Sequence, residues 1–303
     1  MYQPFYNLDA APFELTPNPR YLLLTPTHRE ALSALEYGIS ARKGVTLLIG
    51  EAGTGKTTLL RKALAVKLAG SGANGADYVY INNPTLTPAE LFERLALDFG
   101  FDDGGSKTTI LRRLEEALAA RRAARRKTAL VIDEAQSLPD ALLEELRLLT
   151  NIESEEDKLL PLVLAGQPEL ADRLNEHRWR QFKQRIVLRC QLGPLDLQET
   201  ATYIFGRVKL AGGDGTQLFT RNAVLAIYHA SRGIPRTVSV ICDNALVSGF
   251  AQQRRPVDAD IVDEVCRDLD LSAAGGGDRQ ETGERVSPGR PLEAVNRWRR
   301  SAG

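Results

Sequence analysis

47-LLIGEAGTGKTTLLRKAL-64 is the stretch from which the fold is read. Gly50, Gly55, Lys56 and Thr57 fit the pattern G-x-x-x-x-G-K-[ST], with Gly53 as an extra glycine inside it. Before it, the short apolar and β-branched run 45-VTLLI-49 reads as a buried strand. After it, Leu59, Leu60, Ala63, Leu64 and Leu68 recur at helical spacing. A glycine-rich turn between a strand and a helix lets backbone N–H groups surround phosphate oxygens, and the helix N-terminus adds partial positive charge. Lys56 is then expected to reach the β- and γ-phosphates of a nucleotide, and the Thr57 hydroxyl to hold Mg²⁺.

Working outward, strand-like runs alternate with helical stretches: 45-VTLLI-49, 78-YVYIN-82, 128-TALVI-132, 160-LPLVLA-165 and 186-IVLRCQL-192. Such alternation predicts an α/β fold, a parallel sheet flanked by helices. After about residue 194 the strand signal stops, and helical stretches near 196–211, 220–231, 235–252 and 257–269 predict a small all-helical lid domain. The expected division is a nucleotide-binding core with its N-terminal segment over 1–194, the lid over 195–270, and a disordered tail over 271–303, where Gly, Ser and charge replace apolar residues. The segment 70-GSGANG-75 matches G-x-G-x-x-G but leaves a helix and enters a strand, the reverse of a dinucleotide fingerprint; it reads as a helix end and turn.

Composition narrows the classes. The 303 residues suffice for one large or two medium domains, and Lys+Arg balances Asp+Glu at 39 each, so net charge gives no hint of nucleic acid. No apolar run approaches the roughly 20 residues needed to span a bilayer, which predicts no stable membrane insertion. The N-terminus lacks the basic and apolar regions of a secretion signal. Cys190, Cys242 and Cys266 match neither a zinc spacing nor a disulfide framework, and read as reduced core thiols of a cytoplasmic protein.

The second chemical signal is 129-ALVIDEAQ-136, an apolar strand ending in two acids. Ligands of open α/β sheets bind at that end of the strands. Asp133 is expected to hold Mg²⁺ through water, and Glu134 to polarise the water that attacks the γ-phosphate. Asn82 and Asn83 close the intervening strand; one of them could restrain Glu134, or the pair is a turn before Pro84. Gln167, after the fourth strand, could position water or the γ-phosphate. The segment 177-HRWRQFKQRIVLR-189 carries Arg178, Arg180, Lys183, Arg185 and Arg189 and reads mostly as a solvated helical face, but Arg185, just before a strand, could reach the γ-phosphate of a neighbouring subunit. Arg236, in 233-GIPR-236, opens a helix and would face the nucleotide from the lid side. The basic run from Arg121 to Lys127 reads as a helix C-terminus, with DNA phosphate contact as the alternative. The three histidines are scattered and suggest no site.

The combination resembles the AAA+ ATPases of the ExeA, or general secretion pathway protein A, branch. Its marks are 5-FYNLDAAPFELTPNPRYL-22, 28-HREALSALEYGI-39, 50-GEAGTGKTT-58, 132-IDEAQSL-138, 144-EELRLLTNIE-153, 164-LAGQPEL-170 and 233-GIPR-236; Asn7 stands where the pattern has glycine. The resemblance implies that Gly50, Glu51, Ala52, Gly53, Thr54, Gly55, Lys56, Thr57 and Thr58 form Walker A, that Asp133 and Glu134 are Walker B, and that Gln167 and Arg236 are sensors 1 and 2. It implies that Arg185 is the arginine finger, that 5-FYNLDAAPF-13 helps line the adenine side, and that subunits oligomerise with ATP between them. The implied function is an ATP-hydrolysing protein that remodels or positions an assembly with an unknown protein client, in secretion or in envelope or polysaccharide export. The alternative is a DNA-associated AAA+ ATPase such as a transposition regulator.

Overall fold

The computed structural model describes residues 1–14, 24–69, 77–82, 84–101, 105–153 and 158–271. Residues 272–303, the segment 70–76, Asn83 and residues 15–23 lie outside them, and with them the expectations for the tail, the glycine-rich turn and part of the N-terminal motif. The chain divides into two units, 1–272 and 273–303, and the following concerns the first.

Five parallel strands form one sheet: β1 (Val45–Gly50), β2 (Asp77–Ile81), β3 (Thr128–Ile132), β4 (Leu162–Gly166) and β5 (Ile186–Leu192), in the order β2-β3-β4-β1-β5. The three central strands are buried at every position, as expected of strands covered on both faces. Alternate side chains divide between two cores. Leu47, Ile49, Leu130, Ile132, Leu162 and Leu164 face one way, toward α3 (Pro88–Phe99), α4 (Lys107–Ala123), α5 (Asp140–Leu149), α6 (Pro168–Asn175) and α7 (Arg180–Lys183). Leu48, Ala129, Val131, Val163 and Ala165 face the other way, toward α1 (Pro26–Ser40) and α2 (Lys56–Ala69). The period of two along each strand produces this split.

The register sets the functional edge. Ile49 pairs with Gly166, and Ile81 pairs with Ile132. The C-terminal ends of β1, β3 and β4 therefore finish side by side, with β4 between the other two.

Beyond β5 come α8 (Leu197–Leu210), α9 (Gly215–Leu218), α10 (Arg221–Ser231), α11 (Pro235–Ala251) and α12 (Ala259–Asp268). The one-turn α9 escapes the periodicity, being shorter than any helical repeat. A reciprocal cap starts α8: Asp196 accepts the Glu199 N–H at 2.7 Å while Glu199 accepts the Asp196 N–H at 3.1 Å. These helices share a third core with Tyr2, Tyr6, Leu8 and Phe13. The first 14 residues thus pack into the C-terminal helices, where the sequence resemblance implied the adenine side. Buried Arg207 fastens them, donating to Pro12 O at 2.6 Å and Glu14 O at 2.9 Å. Asn7 adopts φ 54, the left-handed region that glycine and asparagine tolerate best, which explains why asparagine can stand where the family pattern has glycine. Leu271 packs on the same core. Cys190, Cys242 and Cys266 are buried free thiols, and no helix among the described residues is long and apolar enough to cross a membrane.

Candidate functional site

The turn from Gly50 to Gly55 links the end of β1 to the start of α2. Thr54 is buried and its hydroxyl donates to Glu51 O at 2.8 Å, closing the turn on itself. Gly53 sits at φ 83 and is approached by the start of α11: an added Cβ would lie 2.8 Å from the Arg236 Cβ. The Arg236 N–H, one of the free donors of a helix start, reaches Gly53 O at 3.2 Å. Arg236 is therefore brought to the phosphate loop by its own backbone. The loop carrying it is fixed in turn by Gly233, at φ 72, where a Cβ would meet Leu195 O at 2.0 Å.

Lys56 is 4% exposed, and its ammonium donates to Gly50 O at 2.8 Å and Glu51 O at 3.0 Å. Burial lowers its pKa, and the nearby carboxylates of Glu134 and Asp133 oppose that shift. Thr57 donates its hydroxyl to Asp133 Oδ2 at 2.6 Å. Asp133, 2% exposed, also accepts the Tyr80 hydroxyl at 2.8 Å. Burial and the Asp133 charge both raise the Tyr80 pKa, keeping the phenol protonated as a donor. The loop after β1 and the acid after β3 are thus joined across the intervening strand.

Glu134 accepts from Gln136 Nε2 at 2.7 Å, and Gln136 Oε1 accepts the Gln167 backbone N–H at 3.1 Å. Gln167 is the N-cap residue of α6, immediately beyond the end of β4. Asn82 is exposed just beyond β2; among the described residues it makes no hydrogen bond to Glu134, and Gln136 is the partner instead. Asn83 lies outside the described residues.

Arg185 stands apart. Its backbone carbonyl accepts the Val45 N–H at 3.0 Å, which places it beside the start of β1. Five residue steps of about 3.3 Å separate Val45 from Gly50, about 17 Å along the strand and beyond the reach of an arginine side chain. Arg185 makes no ion pair among the described residues; its charge contributes to the lowered pKa of Glu153, a shift due mainly to Lys158. Arg178, by contrast, is engaged by Glu176 and Asp140.

His28 was given no role by spacing, yet it is buried beside the phosphate loop. Its Nε2–H donates to Thr54 O at 3.2 Å, since a carbonyl can only accept, so Nδ1 accepts the Thr25 hydroxyl at 2.8 Å. Burial lowers its pKa, favouring this neutral tautomer. No sequence signal could have shown that α1 packs on the loop. Tyr80 was also missed, although alternation along β2 from Ile81 would have set it on the opposite face.

The site suits a magnesium nucleotide. Thr57 and Asp133 are hard oxygen donors in contact, and Mg²⁺ keeps most of its remaining positions for water and phosphate. No group of three or more His, Cys, Asp or Glu among the described residues forms an all-protein metal site.

Residues 39–174 match the AAA domain family. General secretion pathway protein A of Aeromonas hydrophila is 39% identical over 254 residues, covering 83% of this chain and 45% of that protein. The chain therefore spans less than half the length of that relative. Among solved structures, Cdc6p from Pyrobaculum aerophilum superposes with a TM-score of 0.65 at 20% identity over 86% of this chain and 71% of that one. The Aeropyrum pernix ORC2 protein in its ADPNP-ADP complexes gives 0.64 at 19% identity, over 89% and 73%.

Proposed function

This chain belongs to the AAA+ ATPases, in the branch of general secretion pathway protein A, and from that premise we propose that it binds and hydrolyses ATP at the C-terminal edge of its sheet. The observation that carries the reading is the 2.6 Å contact between Thr57 and Asp133, with Lys56 and Glu134 beside it. In this reading, residues 50–58 surround the phosphates and Lys56 neutralises their charge. Mg²⁺, held by Thr57 and Asp133, would neutralise charge on the β- and γ-phosphates. Glu134 accepts a proton from the attacking water. Gln167 lies where it can orient that water, and Arg236 reports on the nucleotide from the helices beyond β5. The sheet and its flanking helices, up to residue 194, serve as the core, and residues 195–270 as the lid, on which the N-terminal segment of the expected core packs.

We further propose that copies of the chain assemble with ATP at their interfaces, Arg185 of one copy serving the site of the next. The work done is the positioning or remodelling of a cytoplasmic protein assembly in secretion or envelope export. The name of the Aeromonas relative supports that direction.

The test separates grip from chemistry. Lys56→Ala is expected to lose ATP binding, whereas Glu134→Gln keeps binding and loses turnover by about 10²–10⁴-fold. Wild-type turnover in Glu134→Gln would remove Glu134 from the mechanism. The DNA-associated alternative rests on the basic run Arg121–Lys127, but the structure already uses part of it. Arg121 lies 4.0 Å over the Phe99 ring, and Arg121 and Arg122 occupy the last turn of α4, where cations are favoured. Filter binding of duplex DNA across a salt series decides it; steeply salt-dependent, ATP-dependent binding would favour the DNA reading.

A further inference from the structure

Gln136 lies in the 3₁₀ turn Ala135–Ser137, two residues after Glu134. Its side-chain amide is used at both ends, donating to Glu134 Oε2 at 2.7 Å and accepting the Gln167 N–H at 3.1 Å. That pairing fixes its orientation: turned over, it would set an NH₂ against an N–H and a carbonyl against a carboxylate. Gly166 makes the room. A Cβ there would lie 3.0 Å from Gln136 Oε1.

The backbone of Glu134 is held as well. It is left-handed, at φ 52 and ψ 38, a conformation uncommon for a residue with a long side chain and concentrated at functional sites. Its N–H donates to Asp133 Oδ1 at 3.0 Å, and its carbonyl accepts the Ser137 N–H at 3.0 Å. One carboxylate oxygen is engaged by Gln136. Among the described residues the other has no hydrogen-bond partner.

We propose that Gln136 is a positioning residue for Glu134, an amide bridge through which the junction of β4 and α6 sets the orientation of the acid at the end of β3. The inference rests on the reading of Glu134 as the base of ATP hydrolysis, and deepens it. It gives Gln167 a role through its backbone N–H, which any residue but proline supplies. The restraint expected of Asn82 is assigned to a residue on the acid's own strand end.

Two variants separate the halves of the bridge. Gln136→Met keeps the length and removes both donor and acceptor. Gln136→Glu keeps an acceptor for the Gln167 N–H, loses the donor, and sets a second carboxylate against Glu134. Amide exchange at Gln167, read by NMR in the nucleotide-free protein, should be at least about tenfold faster in Gln136→Met and close to wild type in Gln136→Glu. Both variants should lose turnover by at least about tenfold while ATP affinity stays within about twofold. Adding Gln136→Met to Glu134→Gln should change turnover by less than about twofold, because the residue acts through Glu134. Unchanged Gln167 exchange in Gln136→Met, or wild-type turnover in both variants, would overturn the bridge. A loss that multiplies on Glu134→Gln, or a matching loss of ATP affinity, would show a general structural role and overturn it too. A wild-type chain that does not hydrolyse ATP would fail the hydrolysis reading instead, and the exchange measurement alone would then decide the bridge.

Discussion

At the C-terminal edge of the sheet, Lys56, Asp133 and Glu134 are each held by partners from the same chain; at the opposite edge, Arg185 carries a charge with no ion pair among the described residues. The first edge is preorganised by register, since parallel strands of similar length end together and bring their following residues within hydrogen-bond reach. The second carries Arg185 on backbone about 17 Å down the same sheet, out of side-chain reach of the phosphate loop of its own chain. A group that serves only a neighbour gains nothing from an intrachain partner. Arg178, on the same stretch of chain, shows the contrast, being engaged by Asp140 and Glu176.

The largest expected effect tests that contrast directly. Arg185→Ala should lower turnover by about 10³-fold or more, with ATP affinity per subunit retained, because an arginine supplied across an interface acts on the transition state. Arg178→Ala should change turnover by less than about tenfold, its charge being spent within the chain. Steady-state rates of the two variants beside the wild type check this, and the reverse ranking would exchange the roles.

A smaller effect concerns the join between residues 1–14 and the C-terminal helices. Arg207→Met removes the donors to Pro12 O and Glu14 O, the first of these contacts buried and the second partly so. A loss of about 2–4 kcal/mol in unfolding free energy is expected, read as a lower denaturation midpoint. An unchanged midpoint would mean that the N-terminal segment contributes nothing to the helices it lies on.

The smallest effect is a pH dependence from His28. Burial depresses its pKa below the ordinary 6.5, so below that pH the unfolded chain binds a proton that the folded chain resists. The stability contribution is present above 6.5 and is lost as pH falls toward the depressed value. His28→Gln should therefore flatten the decline of melting temperature between neutral and mildly acidic pH. A wild-type slope in that variant would place the titration elsewhere.

What the sequence revealed follows the same division. Lys56 and Thr57 are legible because they close the G-x-x-x-x-G-K-[ST] pattern that follows a buried strand; Asp133 and Glu134 are legible because they directly follow another, and strand ends are what apolar runs disclose. The sheet was legible for the same reason, to within two residues at each strand. Gln136 was within view in 132-IDEAQSL-138, but its role depends on a left-handed Glu134 and on the Gln167 N–H arriving from β4, neither of which has a local signature. His28 and residues 1–14 were placed by packing between elements far apart in the chain, which periodicity cannot express. Asn82 or Asn83 was expected to restrain Glu134, or the pair to form a turn before Pro84; Asn83 lies outside the described residues, and the amide seen on Glu134 is that of Gln136.

The most direct measurement is a mixing experiment. Arg185→Ala retains the phosphate loop and lacks the finger; Lys56→Ala lacks the grip and retains the finger. Neither alone should hydrolyse ATP at more than a residual rate. Mixed, they should regain part of the wild-type turnover, because some interfaces pair an intact site with an intact arginine. With mixed assemblies verified by crosslinking, turnover that stays at the residual level across all ratios would contradict the assignment of Arg185 to the neighbour's site.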